Sequence, residues 1–153
     1  MTAGRLMPRA LRTMIAAVLV VGAREARAQY LSVSGSPSPM VVNAAIAGAT
    51  PQPDTDASTS YTVFAFGRGT QKITAQLNSP MPGGVTLQVS VQAPGGASSP
   101  GYVTLTTAAH DVVTGIGTAF TTRSITYQLS ATLAAGVVPR QTRTVTLTLT
   151  AAP

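Results

Sequence analysis

The 153-residue chain has no cysteine and no tryptophan, and only 9% of its residues are charged. Without cysteine there is no disulfide, no thiolate metal site and no lipid-bearing thiol, so a fold must rest on an apolar core and main-chain hydrogen bonds. Aromatic residues make up 5% of the chain, so a recognition surface anchored on Tyr, Trp and Arg has few residues to draw on. Acidic residues number four, and Glu25 is the only glutamate. Asp54, Asp56 and Asp111 alone lie beyond residue 28. Paired carboxylates for glycoside hydrolysis would have to come from these three, two of them in one proline-flanked stretch. Asp54-Thr-Asp-Ala-Ser58 begins like a calcium loop, but Thr59 stands where the sharp-turn glycine belongs and Ala65 where the bidentate acid belongs.

The formal charge of +6 points toward nucleic acid until the charges are located. Five of the ten basic residues, Arg5, Arg9, Arg12, Arg24 and Arg27, lie in the first 28 positions and flank the apolar run Met14 to Ala23. A basic start, a short apolar run and the small-residue site Ala26-Arg27-Ala28 predict a secretory signal peptide over residues 1–28. The run is shorter than the roughly 18 to 20 residues that span a bilayer. Beyond it, residues 29–153 carry Arg68, Lys72, Arg123, Arg140 and Arg143 against three aspartates, a spread-out +2. That leaves no stripe of charge for a phosphate backbone, and no nucleic-acid partner is expected. No second apolar run of membrane length follows, so no membrane span is expected after residue 28, and the protein is placed outside the cell or in the periplasm.

Catalytic equipment is equally sparse. The one histidine, His110, sits beside Asp111, but neighbours on a strand point to opposite faces, and no G-x-S-x-G marks a nucleophile. Gly67-Arg-Gly-Thr-Gln-Lys72 lacks phosphate-loop spacing, and Gly115-Ile-Gly117 reads as a turn. Asn78-Ser-Pro80 has proline where a glycosylation acceptor needs Ser or Thr. The reading is a protein that is not an enzyme, with no catalytic, cofactor or metal residues and no cofactor.

What the chain does have is alternation. Val85-Thr-Leu-Gln-Val-Ser-Val91 puts Val85, Leu87, Val89 and Val91 on one face; Ile73, Ala75 and Leu77 share another. Ser124 to Leu133 places Ile125, Tyr127, Leu129, Ala131 and Leu133 together, and Arg143-Thr-Val-Thr-Leu-Thr-Leu-Thr150 turns Val145, Leu147 and Leu149 inward. Period-two patterning predicts strands with one buried and one wet face, typical of antiparallel sheets. Further strands are predicted at Tyr61–Phe66, Tyr102–Thr106 and Asp111–Ile116, and no convincing helical period appears. The expected fold is all-β, an immunoglobulin-like antiparallel sandwich of about seven to nine strands. Proline-broken residues 48–59 divide it into an extension and linker, 29–58, and a sandwich domain, 59–153. Most aromatics are assigned to the core, with Tyr30 and Phe64 as exceptions.

The closing strand carries Thr144, Thr146, Thr148 and Thr150 outward and has only Arg143 as a charge. β-Propensity alone accounts for threonine there; the other reading is an edge kept able to pair, since soluble monomers blunt their edges with lysine, proline or inward charge. A leader, a short strand-like arm over Tyr30 to Ile46, a Pro/Ser/Gly linker, Lys72-Ile-Thr-Ala-Gln-Leu77 and the hairpin from Ile125 to Thr150 together resemble secreted bacterial pilus or fimbrial subunits and spore coat protein U-like domains. That resemblance implies an incomplete sandwich completed by a strand from a neighbour. Many such subunits carry a disulfide, which this chain does not. The leading expectation is therefore an exported structural subunit of a surface fibre or coat, with itself or other surface proteins as partners. Tyr30, Leu31, Val33, Met40, Val42 and Ile46 are its candidate assembly residues, and Val145, Leu147 and Leu149 its candidate acceptor edge. Residues 29–46 equally serve as first strands of their own sandwich. The alternative is a monomeric immunoglobulin-like binding module with ligand contacts in loops 93–101 and 117–123; a small hydrolase dependent on His110 is a third class.

Overall fold

The computed structural model describes residues 29–42, 49–67 and 69–153. The expected leader over 1–28 and the candidate residue Ile46 lie outside the described residues. Eight strands follow in order: β1 (Gln29–Ser34), β2 (Asp54–Ala65), β3 (Gln71–Leu77), β4 (Val85–Val91), β5 (Tyr102–Thr104), β6 (His110–Ile116), β7 (Ala119–Ala131) and β8 (Val145–Ala151). They form two antiparallel sheets, β1-β2-β7-β4-β5 and β6-β3-β8. The chain is thus an all-β sandwich, as its alternation requires. No helix among the described residues is long and apolar enough to cross a membrane.

The strand phases come directly from the side-chain period. In β3 the residues alternate fully buried and half-buried from Gln71 to Leu77, and in β4 Leu87, Val89 and Val91 are buried. Tyr61, Val63 and Ala65 of β2, Val112, Val113 and Ile116 of β6 and Ile125 and Tyr127 of β7 complete a core between the sheets, with Leu105 just after β5. The Tyr61 hydroxyl donates to the Gln92 carbonyl at 2.6 Å, which gives the buried phenol its partner. Burial pushes that phenol up to about 12.

Turn chemistry fixes the base of the sandwich. Gly84 has φ of +78°, and an added Cβ would come within 2.9 Å of the Ala135 backbone, so only glycine fits. Its carbonyl accepts the Thr132 N–H at 2.8 Å and so holds the end of β7 against the start of β4.

Several expectations are revised. β2 begins at Asp54 rather than near Ser60, so half of the stretch expected as linker is strand, with a bulge between Asp56 and Thr59. Inspection for alternation misses this because a bulge resets the phase. β7 starts at Ala119, so the expected ligand loop 117–123 is mostly strand, leaving Gly117 and Thr118 to join β6 to β7. β7 also ends at Ala131, and Leu133 stands 63% exposed in a short 3-10 turn instead of on the inward face.

Candidate functional site

The two sheets end on one side in β1 and β8, which approach with Cα atoms within 8 Å of each other. β1 pairs along β2, Leu31 opposite Val63 and Val33 opposite Tyr61. Since Val63 and Tyr61 face the core, Leu31 and Val33 lie on the inner face; Leu31 is half-buried against the core, while Val33 is 45% exposed. Tyr30 pairs with Phe64 and points to the outer face. Within one chain, then, residues 29–34 occupy the edge of β2. The candidate acceptor residues Val145, Leu147 and Leu149 line the opposing sheet, each half-buried against the core. The structure brings the arm and the acceptor strand to the same side, but the main-chain partner of the arm is β2, not β8.

Met40 and Val42 are half-buried and outside any strand, with Met40 against the core. They are placed there by the aspartates of the D-x-D-x-S motif. The Val41 N–H donates to Asp54 Oδ2 at 2.7 Å and the Ser38 N–H to Asp56 Oδ2 at 3.2 Å, while Asp56 Oδ1 accepts the Ser58 hydroxyl at 2.7 Å and the Ser58 N–H at 3.0 Å. The carboxylates therefore act as acceptors that moor residues 38–41 to the bulge of β2. The Ser58 hydrogen bonds, with those from Ser38, hold the Asp56 carboxyl below its ordinary 3.8. A lowered folded value means that the mooring is complete above the ordinary carboxylate range and is lost as pH falls through the lower folded value. We expect the Ser38 and Ser58 amide proton shifts to titrate together below about pH 4, and to sit at the released position at every pH in Asp56→Ala. Shifts that stay constant on acidification, or an unchanged spectrum in the variant, would show that Asp56 holds nothing there.

The four sheet edges differ in how they are guarded. β5 is only three residues long. β6 is covered by Ser98, whose N–H donates to the Thr114 carbonyl and whose carbonyl accepts the Thr114 N–H, both at 2.9 Å. β8 has neither protection. The Asn78 N–H donates to the Thr144 carbonyl and the Ala152 N–H to the Thr70 carbonyl, both at 3.0 Å. In an antiparallel ladder hydrogen-bonded pairs alternate, so Thr146, Thr148 and Thr150 also bond to β3 across their register partners Gln76, Thr74 and Lys72. The N–H and C=O groups of Val145, Leu147, Leu149 and Ala151 point to the open edge. Arg143 does not guard it, because its guanidinium donates to the Pro80 and Thr142 carbonyls and to Gln141.

His110 begins β6 and shares a 2.8 Å hydrogen bond with the Thr106 hydroxyl, while Asp111 pairs with Lys72 Nζ at 3.0 Å. The two neighbours therefore have separate partners. A cleft of about 240 Å³ lies between Met81, Leu105 and the threonines around them, with no charged side chain lining it.

The aromatic residues depart most from expectation. Only Tyr61 and Tyr127 are buried; Tyr30, Phe66, Tyr102 and Phe120 are exposed. Strand phase puts Phe120, which the sequence assigns to the core, opposite Phe64 on the outer face. Phe64 lies 4.9 Å from Phe66 and 5.7 Å from Phe120 between ring centroids, the latter pair edge-to-face. No family model, curated protein or solved structure matches this chain.

Proposed function

We propose that the chain is an exported structural subunit of a bacterial surface fibre or coat, assembling by strand addition, with β1 of one copy taking the place on the β2 edge of the next. The observation that carries this reading is the position of β1. It is an edge strand held by one neighbour, exposed along most of its length, and joined to β2 through the 19 residues between Ser34 and Asp54. Fully extended, such a link reaches about 60 Å, enough to leave one sandwich and enter another once residues 38–41 release Asp54 and Asp56. Exchange conserves every main-chain bond of the register, so little is lost in passing from the closed chain to the linked one. A head-to-tail exchange of this kind is heterologous and grows open chains. Leu31 and Val33 then fill the gap facing Val145, Leu147 and Leu149 of the acceptor, main-chain pairing supplying affinity and the alternate side chains specificity.

Deleting residues 29–46 tests it. The parent is expected to give filaments under the electron microscope and a ladder of heat-resistant oligomers, and the deletion variant neither, while keeping a cooperative β-sheet unfolding transition. A deletion variant that still polymerises would sink the proposal. The pairing of β1 within its own chain supports the second reading, a monomeric binding module; a parent protein that stays monodisperse at every concentration, with β1 protected from exchange, favours that reading instead.

A further inference from the structure

Apart from Tyr30, Ser32 and Ser34 of β1, the outer face of the five-stranded sheet lies away from the strand exchange, and it is unusual in composition. Register sets its side chains in rows. Tyr30, Phe64 and Phe120 form one row across three strands, and Ser32, Thr62 and Thr122 the next. Beyond them come Ser34, Ser60 and Ser124, then Tyr102, Ser90 and Thr126, then Thr104, Gln88 and Gln128. Among the described residues no charged side chain stands in any of these rows: on these strands Arg123, Asp54 and Asp56 all fall in the opposite phase, level with Tyr61, Leu129 and Tyr127. Rings so exposed contribute little to the core, with Phe120 at 75% and Phe66 at 50%. A contiguous exposed aromatic cluster on a soluble fold marks an interaction surface.

We infer that this face binds an uncharged polysaccharide. Pyranose C–H groups rest on the rings of Phe120, Phe66 and Tyr30, while the hydroxyl and amide rows exchange hydrogen bonds with sugar hydroxyls. The aromatic C–H contact is of the kind that an electron-rich ring face makes with polarised C–H groups. Strands lie about 4.8 Å apart, close to the length of one sugar ring, so a glycan running across β1, β2 and β7 meets an aromatic side chain at each step. Charge decides against the competing occupants. Single-stranded nucleic acid also stacks on rings but needs cations along its backbone, and an acidic polysaccharide needs the same. An anionic membrane surface is recognised by Lys and Arg flanking the apolar residues. A second copy is disfavoured by composition, because protein interfaces are depleted in serine and a ring cluster of this size is a small part of the roughly 800 Å² a stable partner covers. The face is the outer side of a sheet, an extended surface that suits a long chain over a small molecule.

The test uses protein recovered from cells expressing the full chain, incubated with powdered cellulose and chitin and, as charged counterparts, with alginate beads. Depletion from solution is measured at low and at molar salt. Retention on at least one uncharged polysaccharide, insensitive to salt, is expected; Phe66→Ser combined with Phe120→Ser lowers it by about tenfold or more, the scale of lost ring stacking. Phe120→Tyr, which keeps the ring, retains it. All variants should keep the parent's melting midpoint and its oligomers, since neither residue lies in β1 or in β2, the strand that receives it, so failure of strand exchange and failure of glycan binding read out separately. Retention no better than on bare resin, preference for alginate, or equal retention of the double variant would overturn the inference. So would a double variant whose one change is loss of self-association, which assigns the face to a second copy.

Discussion

Ile73→Ala is expected to destabilise the sandwich by about 2–5 kcal/mol, the range for removing a fully buried Ile or Leu side chain. Ile73 is 0% exposed and sits in the middle of β3, the central strand of the smaller sheet. Its register partners are Val113 of β6 on one side and Leu149 of β8 on the other. Strands on both flanks fix the backbone, so the walls cannot collapse into the space, and the cavity cost adds to the lost transfer energy. A domain of this size is stable by only about 5–15 kcal/mol, so the loss takes a large share of the total. Leu149→Ala is the built-in comparison. Leu149 is half-buried on an edge strand, and its removal is expected to cost about 1–2 kcal/mol, because water already reaches one flank. Chemical denaturation of both variants decides it. Equal losses would mean that the β8 side is as tightly covered as the centre, and the open-sided account of the sandwich would fail.

The inward phase of β3, β4 and β8 was legible because each strand is unbroken alternation between clear turns. The core that results is the one the sequence outlines, with Ile73, Val89, Val91 and Ile125 all fully buried. Polarity misled at single positions: Gln71 is 3% exposed because it shares the phase of Ile73, and phase overrides residue type at the end of a central strand. The bulge hid the start of β2, and the glycine pair at 115 and 117 made the β6–β7 connection look longer than it is. The candidate site was legible in part. Leu31 and Leu147 reach the same side of the fold, but which strand receives the arm depends on strand order, which alternation does not encode. The charge-free outer face was only partly within reach of the sequence: Thr86, Gln88 and Ser90 alternate with the inward residues of Val85–Val91, but the aromatic row needs the β1–β2–β7 register to bring Tyr30, Phe64 and Phe120 into line.

Proline placed at successive positions of β8 should give opposite results, and the difference measures how open that edge is. Thr148 forms a hydrogen-bonded pair with Thr74. Thr148→Pro removes the donor of that pair, strands the Thr74 carbonyl in the middle of the smaller sheet and forces the ring between two strands, at a cost of about 3 kcal/mol. Leu147 stands one residue earlier, and its N–H points away from β3 toward the unguarded edge. Leu147→Pro therefore breaks no bond within the chain, and its cost should match that of Leu147→Ala, the shared loss of a half-buried side chain. Thermal unfolding of the three variants is the measurement. If Leu147→Pro proves as damaging as Thr148→Pro, the 147 amide already has a partner within the fold and β8 is not an open edge. If the contrast holds, β8 can carry another strand without giving up any bond of its own. That property separates it from β5, which is too short, and from β6, whose edge Ser98 already covers.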